Sequence, residues 1–325
     1  MPVTPASPKA GEERTARFAA ELARLGVAPD DRLAVAVSGG PDSLALLLLA
    51  RAAHPGALIA ATVDHGLRPE AAAEAAGVAA ICASLGVEHQ VLSVSVVEAG
   101  EGIQAAARAA RYAALADWCA IRGIGRIATA HHADDQAETL LMRLNRGAGL
   151  AGLAGVRAAR WLRPGLRLVR PLLGWRKAEL VAIVTDAGLT PVDDPANRDA
   201  RHDRTAIRAL LAANPLLDPL RIAASAAHLA DSEAALDWVT RRVTENRIEQ
   251  QADGMAFDHA GLPREIRRRA VAQILSDFSV IADGPSLATL LDRLESGQAA
   301  TLGGVKATPG ECWTFAPAPA RRGDH

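Results

Sequence analysis

Six consecutive residues, Ser38-Gly39-Gly40-Pro41-Asp42-Ser43, separate a short Val-containing apolar run from an almost wholly apolar one, LALLLLARAA. A strand that breaks on two glycines and restarts at once as a helix aims successive backbone amides and a helix N-terminus at one point, and glycine lets an anion come close. That is the chemistry of a phosphate cradle. Asp42 narrows it: a carboxylate beside polyphosphate is repelled unless a Mg²⁺ ion bridges the two, so Asp42 is the candidate metal ligand. The plainer alternative is a strand-to-helix turn with Asp42 or Ser43 as its cap. The string lacks the lysine of a Walker loop, which disfavours a P-loop NTPase. Two more polar clusters follow, Asp64-His65-Gly66 and His131-His132-Ala133-Asp134-Asp135-Gln136-Ala137-Glu138-Thr139. The paired histidines suggest zinc with Asp134 or Asp135, but neighbours at a strand end point to opposite faces and no third ligand is evident.

The elements that must position these clusters alternate. Apolar periodicity predicts helices over 12–25, Asp42 to Ala53, Pro69 to Leu85, Ile103 to Ile121 and Asp134 to Leu144. Strands are predicted over Arg32 to Val37, Ala57 to Val63, Val87 to Val94 and Arg126 to Ala130, with a further strand pair within Arg157 to Leu173 and a helix over Arg176 to Ala187. Such alternation predicts an α/β fold, an open parallel sheet with right-handed crossovers and helices on both faces. Ligands in such sheets sit beyond the carboxyl ends of the strands, and there all three clusters fall. An Asp/Pro/Asn-rich loop (Pro191 to Asn197) leads to helices near 203–212, 215–250, 263–277 and 285–296 and a hairpin turning on Gly303-Gly304. The expected division is a catalytic domain over 1–200 and a smaller, mainly helical domain over 201–325.

With 325 residues, 50% hydrophobic and 22% charged, the chain has ample length for a packed core. It holds no apolar run long enough for a membrane span. Met1 to Gly11 lacks a signal pattern, and Cys82, Cys119 and Cys312 have no metal or disulfide spacing, so a reducing cytoplasm is expected. A net charge of -1 gives a nucleic-acid partner no support from the total. Locally, Thr139 to Ala178 has no acidic residue but carries Arg143, Arg146, Arg157, Arg160, Arg163, Arg167, Arg170, Arg176 and Lys177, a stripe able to meet several phosphates, with Trp161 or Trp175 to stack on a base. Because arginine far outnumbers lysine throughout, a solvated surface is the competing explanation. Arg267-Arg268-Arg269 is a weaker candidate of the same kind.

The glycine string resembles the signature of the N-type ATP pyrophosphatases, which cleave ATP between the α- and β-phosphates to adenylate a substrate. Val63-Asp64-His65-Gly66-Leu67-Arg68, Ala110-Arg111-Tyr112, the His131 to Thr139 string, Arg170-Pro171-Leu172-Leu173 and Asp193-Asp194-Pro195-Ala196-Asn197 follow in the order and spacing of the tRNA(Ile)-lysidine synthases. The resemblance runs over roughly residues 30 to 212, and the His131 to Thr139 string is its most specific part.

The resemblance implies a two-step ligase. ATP adenylates the oxygen on carbon 2 of the wobble cytidine in the CAU-anticodon isoleucine tRNA, and free L-lysine displaces AMP. ATP would lie against Ser38 to Ser43, Asp64, His65 and His131, with Mg²⁺ on Asp42. Asp42, Arg111, Asp135 and Glu138 match catalytic or lysine-binding positions, and Arg204 or Arg208 matches the arginine segment beyond the acidic loop. Asp135 and Glu138, three apart, share a helical face and would hold a lysine ammonium or Mg²⁺; first-turn acids that complement a helix dipole are the alternative. Arg111 would neutralise phosphate, or else be an ordinary solvated helix residue. After Arg204 the family pattern carries Asn where this chain has Thr205, and only about 110 residues follow Ala212, where family members often carry a further tRNA-binding domain. A tRNA thiolase of similar ATP chemistry would need paired thiols near a motif, an amidotransferase-type synthetase an ammonia source, and a non-catalytic nucleotide- or tRNA-binding module would not need Asp42, Asp135 and Glu138 together.

Overall fold

The computed structural model describes residues 8–54, 58–66, 71–94, 103–191 and 203–319. Two motif segments, Leu67-Arg68 and Asp193 to Asn197, lie outside them. The chain forms two compact units, residues 1–230 and 231–325. The division falls inside one long helix, whereas the sequence pattern suggested 200/201.

The first unit runs α1 (Pro8–Arg24), β1 (Leu33–Ala36), α2 (Pro41–Ala53), β2 (Leu58–Asp64), α3 (Ala71–Ser84), β3 (Glu88–Ser93), α4 (Ile103–Ile121), β4 (Arg126–Ala128), α5 (Ala133–Asn145), α6 (Leu150–Leu153), β5 (Ala159–Arg163), β6 (Leu166–Val169), α7 (Lys177–Asp186) and α8 (Asp203–Ala213). α9 (Pro219–Arg247) leads into the second unit. The six strands lie in the order β3-β2-β1-β4-β6-β5. All pairings are parallel except β5 with β6. Strand alternation builds two cores. Leu33 and Val35 of β1 face a cluster with Phe18, Leu22, Leu46, Leu47 and Leu180 from α1, α2 and α7, while Ala34 faces the opposite side with Tyr112, Leu115 and Trp118 of α4.

This strand order positions the site. The chain winds one way from β1 to β2 and β3 and the other way to β4, so β1 and β4 are neighbours whose carboxyl ends open into one crevice, the topological switch point. Val35 pairs with Ala128, so Ser38 and His131 each lie three residues beyond the same register point.

The second unit is less helical than the pattern suggested. β7 (Ile248–Gln251), β8 (Gly254–Phe257), α10 (Arg264–Asp277), α11 (Gly284–Glu295), β9 (Ala300–Leu302), β10 (Val305–Thr308) and β11 (Trp313–Pro317) follow α9. The hairpin on Gly303-Gly304 is there, but as two strands of a five-stranded antiparallel sheet, β7-β8-β11-β10-β9. Phe257, Trp313 and Phe315 from the sheet pack with Ile274, Leu287 and Leu291 from α10 and α11.

Candidate active site at the β1/β4 crevice

The loop after β1 is braced from within. Ser43 Oγ donates to the Gly40 carbonyl at 2.9 Å and accepts from the Ser38 amide at 3.1 Å. Gly39 takes φ 85°, a left-handed conformation that a side chain would strain. Gly40 is the N-cap of α2 and gives no side-chain cap, and Pro41 opens the first turn. The amides at the start of α2 therefore converge without a capping side chain, as an anion site needs. Asp42 is held there with its Oδ1 atom buried and lacking any hydrogen-bond partner. An orphaned buried carboxylate oxygen costs several kcal/mol unless something positive meets it, and a cation shared with phosphate fits that requirement.

Across the crevice the two histidines divide as adjacent strand-end residues should. His132, 3% exposed, is the N-cap of α5, and its own amide donates to Asp135 Oδ2 at 3.1 Å, the backbone half of a capping box. The imidazole faces three carboxylates: Asp42 Oδ2 at 3.5 Å, Asp134 Oδ2 at 3.6 Å and Asp135 Oδ2 at 3.6 Å. At these separations they are ion pairs rather than hydrogen bonds. Burial by itself would lower the His132 pKa, but the carboxylates of Asp134, Asp42 and Asp135 outweigh it and raise the pKa to about 10. The ring is thus an imidazolium that gathers acids from α2 and α5, and the 3.4 Å approach of the Asp135 amide to Nδ1 is a long secondary contact.

His131 lies in the opposite field. Burial, with the charges of Arg170, Arg108 and Arg111, pushes its pKa down to about 3. Its Nδ1 accepts from Arg170 Nε at 3.3 Å. His65 is likewise held low, by burial and then by Arg111, and its buried Nδ1 has no partner. Asp64 accepts from the Gly66 amide at 2.8 Å and shapes that turn. Arg111, half-buried on α4, sits with its guanidinium 5.5 Å from the Tyr112 ring centre. Among the described residues no cluster of three or more His, Cys, Asp or Glu side chains is arranged to hold a metal.

Glu138, 3% exposed, is gripped by α8. Arg208 Nε donates to its Oε1 at 2.6 Å. Arg204 Nε lies 2.7 Å from Oε2, yet its N–H does not aim at that oxygen, which has an ionic neighbour but no hydrogen bond. Arg208, although burial opposes it, has its pKa raised by Glu138 and more weakly by Asp135 and Asp42, so its charge reaches the whole acid group. Asp42, Asp135, Glu138, Arg204 and Arg208 are thereby brought together, with His65, Arg111 and His131 forming a second, cationic and neutral group.

Sequence reasoning missed two residues here. By residue type His132 reads as a zinc ligand, whereas in the fold it is the N-cap of α5 with Asp135 at the third helical position. Asp134 ties α5 to α7: its Oδ2 accepts from the Lys177 amide at 2.8 Å, and Arg176 approaches to 3.3 Å. Despite burial, His132, the Lys177 amide and Arg176 hold its carboxyl well below the usual range.

The arginine stripe is mostly consumed inside the protein. Arg143 donates to the Gly152 and Gly155 carbonyls, Arg157 to that of Ala230 and Arg167 to that of Leu25. Arg163 pairs with Asp117, and Arg170 is 2% exposed. Trp175 is 1% exposed beneath Arg17 and cannot stack on a base, whereas Trp161 is 62% exposed. In the second unit Arg268 and Arg269 bind Glu265, Arg269 also binds Glu233, and Arg267 binds Glu295. Tertiary structure uses these guanidiniums to satisfy carbonyls and carboxylates, which charge counting along the chain does not reveal.

A phosphate loop at the switch point of a parallel sheet defines an ATP-binding protein of the PP-loop class, and the PP-loop domain family matches residues 12–214. The chain is 48% identical to the tRNA(Ile)-lysidine synthase of Novosphingobium aromaticivorans over 95% of both chains. It is 44% identical to that of Zymomonas mobilis over 90% of both. The chain belongs to the tRNA(Ile)-lysidine synthase family. A solved U34-tRNA thiolase from Methanococcus maripaludis is similar in fold alone, with a TM-score of 0.58 at 18% identity over 68% of this chain and 79% of that one.

Proposed function

We propose that this protein uses ATP to adenylate the oxygen on carbon 2 of the wobble cytidine of the CAU-anticodon isoleucine tRNA and then joins L-lysine at that carbon, releasing AMP. In the first step the oxygen attacks the α-phosphate and pyrophosphate departs. In the second an amine of lysine adds to carbon 2, loses its proton and expels AMP. The observation that carries the reading is the facing of the β1 phosphate loop and the β4 acid cluster across one crevice, with His132 3.5 Å from Asp42.

Gly39, Gly40, Asp42 and Ser43 would supply amides to the triphosphate, and Asp42 Oδ1 is the oxygen suited to a Mg²⁺ ion, which would offset phosphate charge. Arg111 and the neutral His65 and His131 border the same anion, where a neutral ring can donate or accept without adding charge. Asp135, its Oδ2 already shared with His132, is the acid left to receive the lysine ammonium. Glu138, bound by two arginines, holds α8 and sets Arg204 and Arg208 against the substrates. The three cysteines favour this reading over sulfur transfer. Burial pushes the Cys82 thiol up to about 11 and the Cys119 thiol up to about 12, leaving both protonated and inert, and Cys312 belongs to the second unit.

Pyrophosphate release tests the reading. It is expected to need tRNA and ATP, and to be abolished in Asp42→Ala while tRNA binding persists. Release at the wild-type rate from Asp42→Ala would remove Asp42 from the mechanism, and turnover that ignores tRNA would remove the reaction itself.

A further inference from the structure

Tyr112, 9% exposed, sits at the centre of an unusual concentration of positive charge. The guanidinium carbons of Arg160, Arg108 and Arg111 lie 4.9, 5.2 and 5.5 Å from its ring centre. Behind them the buried Arg170 donates to the Arg157 carbonyl at 2.5 Å and to His131. None of the four guanidiniums has a carboxylate partner among the described residues, and the two histidines bordering them are neutral. Neighbouring arginines are treated otherwise: Arg163 has Asp117, Arg122 has Glu88 and Arg176 has Asp134. Cation–π contact with one ring does not balance like charges crowded this closely, so the arrangement is completed by an anion.

The cluster is graded. Arg170 is buried beside His131 and Arg111 is half-buried, both on the nucleotide side, whereas Arg108 on α4 and Arg160 on β5 are exposed. Most of the arginine stripe is spent on internal carbonyls and carboxylates, but Arg160 is exposed, with the exposed Arg108 of α4 on the same ring. We propose that Arg108 and Arg160 hold a backbone phosphate of the tRNA beside the nucleotide pocket, with Tyr112 as the platform that spaces them. The assignment rests on the reaction proposed above. It favours RNA over ATP because the outer pair is exposed to solvent while the triphosphate has its own amide cradle after β1.

The test uses Arg108→Gln, Arg160→Gln and the double variant of the full chain, with unmodified isoleucine tRNA titrated at several salt concentrations. Each single change is expected to weaken tRNA binding roughly 3- to 10-fold at moderate salt, and the double to flatten the log K against log salt slope by ~0.7 to 0.9, the value for one lost phosphate. The KM for tRNA rises, and that for ATP stays within about twofold. Arg108→Lys and Arg160→Lys keep the charge and recover much of the affinity, which separates a phosphate contact from a folding defect. A rise in the ATP KM with tRNA affinity unchanged would assign the cluster to the nucleotide and overturn the proposal, as would unchanged tRNA affinity and salt slope. Wild-type product formation in the same assays keeps failure of this assignment distinct from failure of the reaction.

Discussion

Replacing His132 by glutamine keeps a similar volume but deletes a cation that Asp42, Asp134 and Asp135 share. Its pKa rises from 6.5 to about 10 on folding. At roughly 1.4 kcal/mol per unit the coupling has an upper bound near 5 kcal/mol, which relaxation and proton uptake by the orphaned acids reduce to about 2–4 kcal/mol at pH 7. A loss of that size lowers Tm by about 5–15 °C for a unit this large. The folded pKa lies above the unfolded one, so the contribution is fully present below pH 6.5 and fades as pH climbs toward 10. Urea unfolding of wild type and variant at pH 7, 8 and 9 should show a gap that narrows by roughly 2 kcal/mol across the series. The His132 ring resonances should remain those of an imidazolium through pH 8. A gap that does not change with pH, or a ring that titrates near 6.5, would refute the imidazolium clamp.

Glu138→Gln leaves Arg204 and Arg208 facing a neutral amide; because both arginines are partly exposed the expected loss is about 1–2 kcal/mol, read by thermal melting, with faster proteolysis of α8. The lysine KM should rise in the same variant, since the arginines reorient beside Asp135. Gly39→Ala places a side chain at φ 85° and should weaken ATP binding about tenfold, measured by calorimetry, with tRNA affinity unaltered. A thiol reagent at pH 7.5 should label Cys312 alone in the native chain, and Cys119→Ala should keep turnover; loss of turnover through a thiol would favour sulfur chemistry.

The sheet was legible because its parts announce themselves locally. LALLLLARAA is too apolar for anything but a buried helix, and α4 runs Ile103–Ile121 as its alanine-rich pattern predicts. The clusters at 38–43 and 131–138 could be placed at one edge because parallel sheets bind ligands only there. What escaped was pairwise. The sequence shows Asp42 and His132 as distant residues, and only the strand order, with β1 beside β4, sets them 3.5 Å apart. Glu138 looked available until α8 supplied Arg204 and Arg208. The second sheet was hidden for a different reason: β7 continues directly from α9 at Ile248, and its residues, Ile248-Glu249-Gln250-Gln251, carry no alternation to mark the change. Gly155 shows how tightly such a feature can be specified without a motif, since its φ is 66° and a Cβ there would meet Gln136 Oε1 at 2.6 Å, where Gln136 binds both polar groups of Val156.

Mass analysis of nucleosides, after incubating the protein with unmodified isoleucine tRNA, ATP, Mg²⁺ and lysine, bears most directly on the facing of phosphate loop and acid cluster as a ligase site. The expected result is one wobble cytidine per tRNA carrying a lysine, with one AMP and one pyrophosphate formed for each, and no product when lysine is omitted. Unmodified cytidine alongside ATP consumption, or a thiolated base in its place, would contradict the account.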